Sequence, residues 1–171
     1  MIICLAGPRA SGKSTTAKCL ASFLGWRSFS FGDYVRKVAK ERGLDPQDLL
    51  VLQNIGSELI EMGWDNFCQN LLTFYGYNNE NVIIDGIRHV QAVNTLSSIT
   101  QSRVFLVYLD VPETVQNERI QHRYRGEYEG HENHDVEKQV KSEVREKADF
   151  IINAEIPPEE VTQSIIQALF L

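Results

Sequence analysis

The stretch Gly7-Pro8-Arg9-Ala10-Ser11-Gly12-Lys13-Ser14 constrains this chain more than any other. It fits G-x-x-x-x-G-K-[ST], the phosphate-binding P-loop. Ile2-Ile3-Cys4-Leu5-Ala6 precedes it and reads as a buried strand, and Thr15 to Leu24 follows and reads as a helix. Strand, glycine loop and helix in that order are the context the motif requires. Glycines let backbone N–H groups approach phosphate oxygens, and the helix behind them points its positive end at the same oxygens. Gly7 through Thr15 are therefore the expected nucleotide cradle. Lys13 is expected to reach the β- and γ-phosphates, and the Ser14 hydroxyl to ligate Mg²⁺.

A chain of 171 residues can fold as one domain, 1–171, with a sizeable core. Its net charge of −6 argues against a general nucleic-acid-binding surface. No apolar run is long enough to span a membrane. The N-terminus enters a strand without a basic leader, which predicts no signal peptide. Cys4, Cys19 and Cys68 have no metal-type spacing, so reduced thiols in a cytoplasmic protein are expected, with Cys4 and Cys19 as small core residues.

Strand signals fall at about 2–6, 28–31, 82–85, 103–109 and 149–152, separated by helical stretches. The predicted helices include Tyr34 to Arg42, one that starts with Asp45 as N-cap and Pro46 at its first position, His89 to Ile99, Pro112 to Arg123, Val136 to Lys147, and Glu159 to Leu169. Alternating strands and helices predict an α/β fold, a five-stranded parallel sheet with helices on both faces. The helical insert over about 32–77 is too long for a simple crossover and is expected over the sheet's carboxyl edge. A polar stretch over about 124–135 reads as an exposed loop.

A second layer of residues surrounds the loop motif. Asp33 and Arg36 are three apart on one helix face beside the P-loop edge of the sheet; taken alone, an N-capping aspartate and a solvated arginine are the simpler account of them. Asp85 ends a buried strand, where it can hold Mg²⁺ near Ser14 or simply form a turn with Gly86. Arg88 follows at a helix start, where a cation opposes the helix dipole and so calls for an anion. Arg119 and Arg123 share a helix face before the polar loop and suit the spread charge of a phosphoryl group, or pair with Glu118 or Glu127 on a solvated face. His122, His131 and His134 lack the spacing of a metal site. Trp64 and Phe67 read as core rather than as a stacking platform.

Together these residues resemble the nucleoside monophosphate kinase group of P-loop kinases. The resemblance rests on the loop Gly7 to Thr15, on Gly32-Asp33-Tyr34-Val35-Arg36 as a G-D-x-x-R helix, on Asp85-Gly86-Ile87-Arg88 as a D-G-x-x-R turn, and on Arg119 and Arg123 before a lid. Ala148-Asp149-Phe150-Ile151-Ile152-Asn153 is similar to the group's last strand. It implies a P-loop NTPase fold with an acceptor-binding insert and a short lid, and Mg²⁺-dependent phosphoryl transfer from ATP to a nucleoside or deoxynucleoside monophosphate. Lys13, Arg88, Arg119 and Arg123 would then be catalytic, Asp33, Arg36 and Arg88 would bind the acceptor, and Ser14 and Asp85 would hold the metal. The turn lacks the proline usual in adenylate kinases, and the lid lacks zinc cysteines. Leu52-Gln53-Asn54-Ile55-Gly56 followed by Trp64 is closer to phage-type deoxynucleoside monophosphate kinases, while the compact D-G-I-R turn is also similar to dephospho-CoA kinases. A nucleotide-dependent switch without a small acceptor is the alternative of another class.

Overall fold

The structure is a computed structural model. It describes residues 1–124 and 140–170, with the backbone alone at 123, 124 and 141. The predicted lid, Arg125, His131, His134 and the start of the helix expected from Val136 lie outside the described residues.

Five strands form one parallel sheet: β1 (Ile2–Ala6), β2 (Arg27–Ser30), β3 (Val82–Ile87), β4 (Val104–Asp110) and β5 (Phe150–Asn153), in the order β2-β3-β1-β4-β5. β1 is central because every residue in it is apolar and buried. Ile2, Cys4 and Ala6 face one core and Ile3 and Leu5 the other, as the two-residue period of a strand demands. On the second face, α1 (Lys13–Leu24) contributes Ala17 and Leu20, and α7 (Pro158–Phe170) contributes Val161 and Ile165. The first face is covered by α2 (Phe31–Glu41), α4 (Trp64–Tyr75) and α5 (Val90–Thr100), through Tyr34, Phe67, Leu71 and Leu96. α3 (Leu49–Glu61) reaches the same core through Ile55 and Leu59, and α6 (Glu113–Tyr124) follows β4. The expected fold class is the observed one.

Several boundaries differ from the sequence reading, each for a local reason. α2 begins at Phe31 because the Ser30 side chain accepts from the Asp33 backbone N–H at 3.3 Å; Asp33 lies in the first turn and is not the cap. Asp45 caps only a turn, accepting from the Gln47 N–H at 2.8 Å, while Asp48 accepts from Leu50 and Val51 and starts α3. β3 does not stop at Asp85. Leu5 pairs with Asp85 but Ala6 pairs with Ile87, so Gly86, at φ 88, is an extra residue that bulges the strand and carries it on. Val140–Val144 forms a π-helical turn rather than α-helix, and Arg145 behind it pairs with Asp110 at 3.1 Å.

The insert is fastened to the sheet by its last helical residue. Tyr75 stacks on Phe29 of β2 with centroids 4.5 Å apart, and its hydroxyl accepts from the Ser30 N–H at 3.1 Å. At the far edge Asp149 ties β5 to β4 twice: its N–H donates to Leu106 at 2.8 Å, and its carboxylate accepts from the Leu106 N–H at 2.7 Å.

Candidate functional site

The glycine loop leaves the carboxyl end of β1 and turns into α1. Gly7 has φ 145, and a Cβ there would lie 2.6 Å from the Leu109 carbonyl oxygen and 2.8 Å from Ser11 Oγ. Only glycine fits this close approach of loop and strand. Ala10 and Gly12 also take positive φ, so the loop curls before α1 begins. Lys13 is the first residue of α1, and its ammonium donates to the carbonyls of Gly7 at 2.8 Å and Pro8 at 2.7 Å. The charge thereby sits on the loop it serves. Thr15 is exposed on α1, while Ser11 is buried within the loop.

Ser14 and Asp85 meet although 71 residues separate them in sequence: the Ser14 hydroxyl donates to Asp85 Oδ2 at 2.6 Å. Parallel pairing of β1 with β3 brings them together. Asp85 is buried, and its Oδ1 has no hydrogen-bond partner among the described residues. A buried carboxylate oxygen without a partner is costly unless a ligand satisfies it. A hydroxyl and a carboxylate beside a phosphate loop are hard oxygen donors, and Mg²⁺ takes such donors while keeping several waters. The residues therefore fit the ion.

Beyond the loop, a cleft of about 220 Å³ opens between α2, α3, α4 and the end of β3. Arg9, Arg36 and Arg88 line it, together with apolar residues of the insert such as Val35, Leu52 and Ile60. Arg88 precedes α5, whose N-cap is His89, so it lies just outside that helix. Asp33 does not line the cleft; its carboxylate accepts from Arg36 at 3.0 Å and holds that guanidinium from the helix's outer side. Arg9, expected only as part of the loop backbone, borders the cleft as well.

Arg119 reaches the glycine loop. Its guanidinium donates to the carbonyls of Ala154 at 3.0 Å, Ala10 at 3.4 Å and Glu155 at 3.5 Å. It thus joins the loop apex to the turn after β5, on the loop's side of the cleft. The Arg123 side chain lies outside the described residues. His122 is exposed on α6, and no cluster of possible metal ligands occurs among the described residues.

Trp64 packs against the core as expected, and its place in the cleft is what sequence reasoning missed. Phe67 is buried core as expected, but Trp64 is only partly covered and lines the cleft. Its ring lies nearly parallel to Phe67, with centroids 6.0 Å apart, and 5.1 Å from the His89 ring. The available signal was its place immediately after Gly63, at the first position of α4, where a side chain is not yet enclosed by neighbouring turns.

With this geometry established, kinship can be assigned. A family profile described as an AAA domain, AAA_18, matches residues 3–139, most of the chain. The chain belongs to that family. A UPF0200 protein of Pyrobaculum aerophilum is 32% identical over 126 residues, covering 74% of this chain and 68% of the relative. A cytidylate kinase of Haloarcula marismortui is 49% identical over 49 residues, 29% of this chain and only 26% of that enzyme's length. Among solved structures, a shikimate kinase from Aquifex aeolicus superposes with a TM-score of 0.66 at 24% identity, covering 99% of this chain and 96% of that one. That likeness establishes the fold. The family match and these relatives support a P-loop group like the nucleoside monophosphate kinases, as the sequence motifs imply. No helix among the described residues is long and apolar enough to cross a membrane.

Proposed function

We propose that this protein transfers the γ-phosphoryl group of ATP to a small phosphate-bearing acceptor, of which a nucleoside or deoxynucleoside monophosphate is the best fit. The observation that carries the reading is a second, cation-lined cleft beside the loop motif, with Arg9, Arg36 and Arg88 along it and apolar walls beyond. A nucleotide switch has no use for a second cationic pocket. An acceptor that is anionic at one end and flat at the other matches such a cleft. The cytidylate kinase relative carries the corresponding substrate class in its name. Dephospho-CoA, a longer molecule, is the alternative acceptor, and the panel below includes it.

The chain's own residues have separable parts in this reaction. Loop amides and Lys13 hold the donor's phosphates, and the fixed positive end of α1 opposes their charge. Ser14 and Asp85 would hold Mg²⁺, which when bound neutralises the donor's phosphate oxygens. Arg88 and Arg36 orient the acceptor phosphate so that its oxygen faces the γ-phosphorus, and Asp33 holds the Arg36 guanidinium. Arg119 buttresses the loop apex, and Arg123 is proposed to stabilise the transferring group's charge. In the transfer, the bond from the γ-phosphorus to the bridging oxygen of ATP breaks, and a new bond forms to an acceptor phosphate oxygen. ADP and an acceptor with one more phosphate result.

The test is a panel of ribo- and deoxyribonucleoside monophosphates and dephospho-CoA, each incubated with ATP and Mg²⁺ and scored for ADP and phosphorylated product. Stoichiometric product from one nucleotide supports the reading. ATP hydrolysis with no phosphorylated acceptor would favour the switch.

A further inference from the structure

Gly56 carries an inference that rests on the acceptor reading above. It lies in the interior of α3, a poor place for glycine, which weakens a helix relative to alanine. The backbone does not ask for it, because Gly56 is not among the residues with positive φ. Packing does not ask for it either: a Cβ built there meets no atom within 4 Å. The cleft is where this open space lies, since Gly56 lines it together with Gln53 one turn earlier and Ser57 beside it. Trp64 lines the same cleft from α4, its ring backed by Phe67 and flanked by His89. A glycine that neither fold nor packing requires, in the same cleft as a tryptophan ring, leaves room for something flat.

We propose that Gly56 is a specificity-determining position whose absent side chain opens a slot between α3 and Trp64 for the planar base of the acceptor nucleotide. The Gln53 amide, which both donates and accepts, stands at the slot's edge to meet the base's polar groups. The phosphate end of the same acceptor lies toward Arg36 and Arg88. Even one added methyl in a close-fitting slot is felt by a rigid ring, which cannot bend around it.

The experiment compares wild type, Gly56→Ala and Gly56→Leu with cytidine, uridine, adenosine and guanosine monophosphates as acceptors. Ribose 5-phosphate, which has the sugar and phosphate but no base, serves as a competitive inhibitor. Gly56→Ala is expected to raise the melting temperature and raise the KM of the preferred acceptor about tenfold, with Gly56→Leu larger still. The KM of ATP and the inhibition constant of ribose 5-phosphate should stay unchanged in the alanine variant, because neither involves the slot. A Gly56→Ala protein with a higher melting temperature but an unaltered acceptor KM overturns the slot and leaves the kinase reading standing. An equal rise in the ATP or ribose 5-phosphate constants overturns it too, since the effect would then be general. If wild type phosphorylates none of the four nucleotides and none of the deoxyribonucleoside monophosphates of the acceptor panel, the kinase reading fails and the slot loses its ligand with it.

Discussion

At the residue scale, the Ser14–Asp85 contact is where the sequence and the chemistry meet most closely. The motif alone assigns Ser14 to a metal. Asp85 was open between metal ligand and turn former, because an aspartate followed by glycine ends many strands. The structure changes the weighing: Gly86 bulges the strand instead of ending it, and the carboxylate lies buried against the Ser14 hydroxyl with one oxygen unpartnered. Replacing Asp85 with Asn retains shape and the Ser14 neighbour but removes the charge. The variant is expected to need a higher Mg²⁺ concentration for half-maximal rate while nucleotide affinity changes little, since loop amides still hold the phosphates. Mg²⁺ titrations of rate and of nucleotide binding check this, and superimposable rate profiles for variant and wild type would return Asp85 to a structural role.

At the scale of elements, helix starts were the least legible feature. Asp45-Pro46 carries the usual signature of an N-terminus, yet α3 begins three residues later, because the Asp48 carboxylate takes both the Leu50 and Val51 N–H groups. Two aspartates three apart compete for the same role, and only the packing of Ile55 and Leu59 into the core decides between them. Asp48→Ala should therefore destabilise the protein by about 1 kcal/mol, lowering the melting temperature by about 2–4 °C. Asp45→Ala should do less, because it caps only a turn. Calorimetry of both variants distinguishes them, and equal losses would mean that the helix start is shared. Arg119 shows the same limit differently. Its spacing from Arg123 marks a shared helix face, but does not show that the carbonyls of Ala10, Ala154 and Glu155 take its guanidinium, because carbonyl partners leave no trace in a sequence.

At the scale of the whole molecule, the sheet was legible because apolar runs in a parallel sheet are buried on both faces and stand out from their surroundings. All five predicted strands exist, β1 at its expected bounds and the other four displaced at their ends by a residue or two. What was not legible was how the insert folds back to make a cleft. That depends on Tyr75 stacking on Phe29 and on Phe67 meeting Phe31 edge-on at 5.0 Å, contacts between segments distant in sequence. The same core predicts a pH dependence. Burial pushes the Cys68 thiol up from the ordinary 9.0 to about 12, with the nearby Asp65 charge adding to it. Cys4 is pushed the same way by burial, then by the charges of Cys68 and Asp149. Above about pH 9 the unfolded chain releases these protons while the folded chain keeps them, so stability falls as pH rises from there toward 12 and is unaffected by these groups below it. Urea midpoints should drop between neutral and alkaline pH, and drop less in Cys68→Ala; identical drops in both proteins would contradict the assignment.

The account stands or falls on two separate phosphate sites, and a steady-state matrix for wild type and Arg88→Ala, varying ATP and the acceptor independently, tests that most directly. A charge-assisted arginine–phosphate contact is worth roughly 1.5–3 kcal/mol, or about ten- to a hundredfold in affinity. The account predicts that Arg88→Ala raises the acceptor KM by about that factor and leaves the KM of ATP nearly unchanged. An acceptor KM equal to that of wild type, or a matching rise in the KM of ATP, would contradict it.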